Sequence, residues 1–165
     1  MLLRAAAFLR ARIPELEVRI VGAGPEGSRL RRLCRELRLD ENVRWLGDVA
    51  SAQLAAEYNR ADVFCLPSVQ EGFGIVFLEA MAAGKPIIAV RASAVPEVVR
   101  NGLLVEPESA DALADAIEKL YGDSQLRTVL AEHGRRDVKS FDMRLVAQSF
   151  MGIVSGGVRE MEIAR

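Results

Sequence analysis

The chain has 165 residues, room for one domain with a sizeable core, and its 50% hydrophobic and 27% charged content is that of an ordinary soluble globular protein. With 22 basic and 23 acidic residues the net charge is −1, which gives no reason to expect nucleic acid or an anionic membrane surface as principal partner. Two cysteines, Cys34 and Cys65, are too few for a disulfide framework or a metal cluster and read as small buried hydrophobes in a reducing compartment. No apolar run has the length needed to cross a bilayer, and Met1 to Leu9, broken by Arg4, lacks the cleavage site of a signal peptide. The expected location is the cytoplasm.

The first element is abnormal. Leu2, Leu3, Ala5, Ala6, Ala7, Phe8 and Leu9 read as a buried helix with no capping residue ahead of it, where an α/β domain would normally place a strand. A single domain truncated at its N-terminus is therefore expected. Its uncovered apolar surface around the first helix would favour a homodimer. Val18–Val21 follows as a strand, and Gly22-Ala23-Gly24-Pro25-Glu26-Gly27 makes the turn into the next helix. That turn satisfies the dinucleotide pattern G-x-G-x-x-G, and Asp48 after the following strand could serve as a ribose acid. Pro25 equally suits the first turn of any helix.

Glu26 to Leu37 carries Leu30, Leu33, Cys34 and Leu37 on one helical face. Arg31, Arg35 and Arg38, with Arg29 and Arg32 beside them, form the opposite face, where solvation explains them better than a lipid or domain contact. Val43–Leu46 is a strand, Gln53–Ala61 a helix, and Val63–Leu66 another strand. Trp45 and its neighbour Arg44 could flank a base, although a core or rim aromatic accounts for Trp45 at least as well. After a helix over Gly74–Ala83 come strands at Ile87–Val90 and Leu103–Val105. Near-continuous apolar strands alternating with helices predict a doubly wound parallel sheet of about five strands. Consecutive helices then close the chain. Ser109 caps one with Leu113, Ile117, Leu120 and Tyr121; Ser124 caps another with Leu126, Val129 and Leu130; Val146, Phe150, Ile153 and Val154 mark a third. The lone His133, on the edge of an apolar stripe, is expected to be structural, and no metal site is foreseen.

The most informative stretch is Glu71-Gly72-Phe73-Gly74-Ile75-Val76-Phe77-Leu78-Glu79, at a strand-to-helix turn. Its glycines let backbone N–H groups approach a ligand, and the helix terminus near Gly74 suits a phosphate. Glu71 and Glu79 put a carboxylate at each end of the turn, one for sugar hydroxyls and one for a ribose diol. Taken singly, Glu71 would be a turn residue and Glu79 a solvated helix position.

This stretch, followed by Glu79-Ala80-Met81-Ala82-Ala83-Gly84-Lys85-Pro86, Pro96-Glu97-Val98-Val99 and Gly102-Leu103-Leu104-Val105, resembles the C-terminal half of the group 1 glycosyltransferases. Those are retaining enzymes of the two-domain GT-B architecture, whose C-terminal half binds the nucleotide-sugar donor. The resemblance runs from about Met1 to Phe150, with its motifs in order. It implies that Glu71 contacts donor-sugar hydroxyls and serves catalysis, and that Glu79 holds the ribose diol. Backbone groups of Phe73, Gly74, Ile75 and Val76 would meet the diphosphate and sugar. Gly22 and Gly24 would border the nucleotide, as would the loop after Val43 with Arg44 and Trp45. It implies neither a metal nor an organic cofactor.

Two departures stand out. The family's Arg and Lys that neutralise the diphosphate would lie ahead of the first helix, where the resemblance also places the acceptor-binding N-terminal domain, expected to lie outside this sequence. Arg100-Asn101-Gly102 also replaces a longer glycine-containing turn. Three functional readings follow: a donor-binding domain that is inactive alone, a nicotinamide- or flavin-binding Rossmann domain, or a non-catalytic interaction module.

Overall fold

A computed structural model describes residues 1–142. Helix α1 (Leu2–Leu9) opens the chain, followed by β1 (Val18–Val21), α2 (Gly27–Glu36), β2 (Val43–Gly47), α3 (Ser51–Arg60) and β3 (Phe64–Leu66). Then come α4 (Ile75–Ala82), β4 (Ile87–Val90), the short α5 (Val95–Val98), β5 (Leu103–Val105), α6 (Ala110–Gly122) and α7 (Ser124–Asp137), with a 3₁₀ turn over Val138–Phe141. All pairings between strands are parallel, and every connection carries a helix, so the α/β class and the doubly wound alternation hold. The expected third terminal helix, through Val146, Phe150, Ile153 and Val154, lies outside the described residues.

One expectation is corrected. The strands form two sheets, β1-β2 and β3-β4-β5, in place of one continuous sheet. β1 pairs only with β2, and β3 only with β4, so each of them keeps one unpaired edge. In the doubly wound order 3-2-1-4-5-6 the position between these two edges belongs to a central strand. The burial pattern agrees. β4, flanked on both sides, is buried along its whole length, whereas Phe64, Cys65 and Leu66 of β3 and Val18 and Ile20 of β1 are half-buried.

Helix α1 spans the division. Leu3 and Ala6 pack with Cys34, Leu39 and Val43 beside the first sheet, while Ala5 and Leu9 pack with Ile88, Val90, Leu113 and Leu120 beside the second. Its apolar face is thus consumed inside the molecule, leaving Phe8 as its one large exposed apolar side chain, 47% accessible. The uncovered face on which self-association was expected is therefore absent from this helix.

Local chemistry accounts for most boundaries. Leu30, Leu33, Cys34 and Leu37 all face the first sheet, and the arginine face of α2 is exposed. Arg10 reaches back to donate to the carbonyls of Leu37 and Arg38, at 3.3 and 2.9 Å, satisfying acceptors left over at the C-terminus of α2. Ser109 Oγ accepts from Ala112 N at 3.1 Å and caps α6 as expected. The cap of α7 differs: Asp123, not Ser124, accepts from Leu126 N, at 2.8 Å. Both residue types cap well, and a carboxylate adds attraction to the helix dipole, so the Asp one position earlier wins. Helix α5, four residues long and led by Pro96 in its first turn, is too short to leave a periodic signal. His133 is structural. Its Nδ1 lies 3.3 Å from Asn101 Oδ1, and Asn101 donates to Asp137 at 2.6 Å, tying α7 to the turn before β5.

Candidate functional site

The turn between β3 and α4 is built around Gly74. Its φ of +71° is a left-handed conformation, and an added Cβ would stand 2.5 Å from Phe77 Cδ2 and 3.2 Å from Glu71 Cγ. Only glycine fits, for conformation and for space. Gly74 O accepts from Phe77 N at 2.8 Å, closing one N–H of the first turn, and the N–H groups of Ile75 and Val76 belong to the donors that a helix start leaves over. No acidic side chain occupies this first turn and no side chain caps it. The helix terminus is therefore open to an anion.

Two carboxylates flank that terminus. Glu71 is half-buried, its stem against Gly74, and it forms no hydrogen bond or ion pair among the described residues. Glu79, also half-buried, is held: Tyr58 of α3 donates to its Oε2 at 2.8 Å. Burial first, and the neighbouring carboxylate second, push the Tyr58 phenol well above its ordinary value, so it remains a donor throughout the physiological range. Phe73, Ile75 and Val76 are exposed around the turn, Ile75 at 64% and Phe73 at 54%. Phe73 is steadied by an edge-on contact with Phe141, with centroids 5.9 Å apart. Ser93 Oγ donates to Val69 O at 3.2 Å and ties the loop after β4 to the loop after β3.

Gly22 lies at the C-terminal end of β1, with φ +102° and its N–H donating to Gly47 O at 2.7 Å. Gly24 follows in the same turn, after the C-terminal end of β1, as Glu71 follows that of β3. Arg44 and Trp45 are not brought there. Arg44 sits near the start of β2, 3.7 Å from Glu17, which precedes β1 at the opposite end of the strands. The side chain of Trp45 packs in the cluster of Cys34, Leu39 and Val43, and Arg31 lies 4.8 Å above its ring. Alternation along β2 is the reason: Val43 and Trp45 share the face that covers α2, so the aromatic ring is committed to the core.

Sequence reasoning missed Tyr58 as a site residue, placing it only within the Gln53–Ala61 helix. A signal was present. A tyrosine on a buried face still needs a partner for its hydroxyl, and a carboxylate one helix away can supply it.

The dinucleotide pattern at Gly22–Gly27 finds less support. Its third glycine normally permits close helix packing, yet a Cβ at Gly27 would meet no atom within 4 Å. The acidic Glu26, paired with Arg29, also stands at the N-terminus of α2, where a pyrophosphate would bind. No group of three or more His, Cys, Asp or Glu that could hold a metal occurs among the described residues, and no helix there is long and apolar enough to cross a membrane.

These features define a doubly wound α/β domain in which an anion-receptive helix terminus lies between two carboxylates, at the C-terminal ends of its strands. Residues 1–137 match the family described as Glycosyl transferases group 1, and the chain belongs to that family. The D-inositol 3-phosphate glycosyltransferase of Pseudarthrobacter chlorophenolicus is 40% identical over 133 residues, which are 76% of this chain and 32% of that protein. A GDP-mannose-dependent alpha-(1-6)-phosphatidylinositol monomannoside mannosyltransferase of Mycobacterium tuberculosis is 37% identical over 144 residues, 81% of this chain and 37% of the relative. The chain thus spans well under half the length of the curated relatives it matches. Among solved structures, the C-terminal domain of the glycosyl transferase group 1 family protein LpcC from Francisella tularensis superposes with a TM-score of 0.75 at 32% identity, covering 84% of this chain and 75% of that one. Anabaena Alr3699/HepE in complex with UDP gives 0.82 at 28%, covering 94% and 44%.

Proposed function

We propose that this chain is the nucleotide-sugar-binding half of a retaining glycosyltransferase. The observation that carries the reading is the pair of half-buried carboxylates across an acid-free helix terminus, one unpaired and one held by a phenol. The terminus takes the diphosphate of the donor through backbone N–H groups. Glu79 accepts from the ribose diol. Glu71, without a protein partner, accepts from hydroxyls of the transferred sugar and orients it for reaction. Phe73 and Ile75 present apolar surface beside the turn, and Gly22 and Gly24 border the nucleotide. Charge on the diphosphate is met by main-chain donors and the helix dipole, so binding requires no Mg²⁺ or Mn²⁺. A cytoplasmic location belongs to the same proposal.

Transfer needs more than this half. Fixing donor and acceptor at near-attack distance contributes about 7–11 kcal/mol to lowering the barrier, and the leaving diphosphate needs positive charge as it departs. Neither Lys85, which donates to Asn59 O at 2.9 Å beyond the far end of α4, nor the arginines of α2, which face solvent on another surface, stand at Gly74 for that role. We therefore assign the central strand between β1 and β3, the cationic groups and the acceptor-binding domain to polypeptide outside these residues.

Calorimetric titration with UDP, GDP, ADP and NAD tests the binding claim. One of the nucleoside diphosphates should bind and NAD should not. Glu79→Ala should weaken that ligand by about 1–3 kcal/mol, the scale for a lost hydrogen bond to a charged group. Equal affinity of wild type and variant would remove the ribose role from Glu79. Binding of NAD alone would turn the reading to a Rossmann dehydrogenase domain, and failure of all four would favour an interaction module. Acceptor-dependent release of nucleoside diphosphate by the purified chain, abolished by Glu71→Ala, would overturn the claim that this half is inactive alone.

A further inference from the structure

Among the described residues, Tyr58 is the one polar side chain whose hydrogen bonds join α3 to the candidate site. α3 has no fully buried residue, yet its Tyr58 ring is half-buried, 5.7 Å from Phe64 of β3. Phe64 in turn meets Phe77 of α4 edge-on, with centroids 6.0 Å apart and the planes at 89°. The phenol is therefore placed by a row of three aromatic rings that runs beneath the first turn of α4. Its hydroxyl lies 2.8 Å from Glu79 Oε2 and 3.3 Å from Val76 O, so a single O–H group spans the carboxylate and the first-turn backbone.

A glutamate on a half-exposed helix face would otherwise sample several rotamers, and ordering it on ligand binding costs conformational entropy. With Oε2 anchored, the carboxylate is held before any ligand arrives. Glu79 Oε1 takes no hydrogen bond among the described residues and is left to accept. A diol needs acceptors fixed in direction, because a hydrogen bond weakens steeply as its angle closes.

We propose that Tyr58 is a positioning residue that presents Glu79 to the ribose diol, so that discrimination between ribose and deoxyribose in the nucleotide depends on it. The proposal rests on the donor-binding reading of Glu79 given above. Tyr58 does not touch the nucleotide; it acts through the carboxylate.

The test compares UDP and GDP with their 2′,3′-dideoxy forms by calorimetry, on the wild-type chain, Tyr58→Phe, Glu79→Ala and the double variant. The Phe ring keeps the contact with Phe64, and a urea melt of each variant confirms that it is folded. Wild type should prefer the ribonucleotide. Tyr58→Phe should lose about three- to tenfold in affinity for the ribonucleotide, the scale of one hydrogen bond, and less than about twofold for the dideoxy form. The double variant should bind the ribonucleotide no more weakly than Glu79→Ala, because both changes remove one coupled interaction. Equal weakening of both nucleotides by Tyr58→Phe would show a merely structural role and overturn the proposal. So would additive losses in the double variant. If Glu79→Ala leaves the ribose preference intact, or wild type has none, the ribose reading of Glu79 falls and the positioning role with it. Loss in Glu79→Ala without loss in Tyr58→Phe sinks the positioning role alone.

Discussion

Gly74→Ala probes the turn on which the site depends, and its cost can be worked from the geometry. An alanine at φ +71° meets the left-handed penalty, about 1–2 kcal/mol. Its Cβ would also lie 2.5 and 2.9 Å from two carbons of the Phe77 ring, which is fully buried between α4, β3 and α5. A ring that cannot swing into solvent must push its neighbours, and overpacking of this kind costs about 1–3 kcal/mol. Alanine restricts the unfolded chain more than glycine does, which returns about 0.4–1 kcal/mol. The net destabilisation is about 2–4 kcal/mol, or roughly 5–15 °C in Tm for a chain of this size. Urea denaturation followed by circular dichroism measures it. Gly72→Ala is the control, since its Cβ would meet nothing within 4 Å; it should stay within about 0.5 kcal/mol of wild type. In a Phe77→Leu background the Gly74→Ala penalty should shrink towards the conformational part alone, about 1–2 kcal/mol. A Gly74→Ala variant as stable as Gly72→Ala would refute both the backbone strain and the packing argument.

Asp123→Ala should destabilise the chain by about 0.5–2 kcal/mol through loss of the α7 cap, and Ser124→Ala by much less, both read from urea midpoints. Burial pushes the Cys65 thiol up to about 12 from its ordinary 9.0, so it should react with iodoacetamide at neutral pH more slowly in the folded chain than in the unfolded one. The same shift adds stability that is complete below about pH 9 and lost as pH rises towards 12, and Cys65→Ala should flatten that alkaline decline. Glu57 is held below its ordinary 4.5, first by its hydrogen bonds from Arg19, so its contribution is present above that pH and lost as pH falls through the folded value. Glu57→Gln should make the urea midpoint less sensitive to acid between about pH 5 and 3, and an unchanged slope would mean the pair adds nothing.

The elements of this chain were legible because they are local. Val18–Val21, Ile87–Val90 and Leu103–Val105 sit where their apolar runs place them, and the leucine stripe of α2 faces a sheet as its spacing demands. The Glu71–Glu79 turn was legible for the same reason: a glycine with left-handed backbone, a helix start and two carboxylates all lie within nine consecutive residues. Whatever depends on elements far apart in sequence was not. The division of the sheet between β1 and β3 is a statement about which strand edges meet, and apolar runs do not encode their neighbours. Trp45 could be assigned to the core only when α2 was seen to lie over it, and Arg44 to the opposite end only when Glu17 was seen beside it. The hydrogen bond from Tyr58 to Glu79 joins residues 21 positions apart through two helices and an intervening strand. Periodicity marks which face of a helix is buried, and tertiary packing alone decides which hydroxyl meets which carboxylate there.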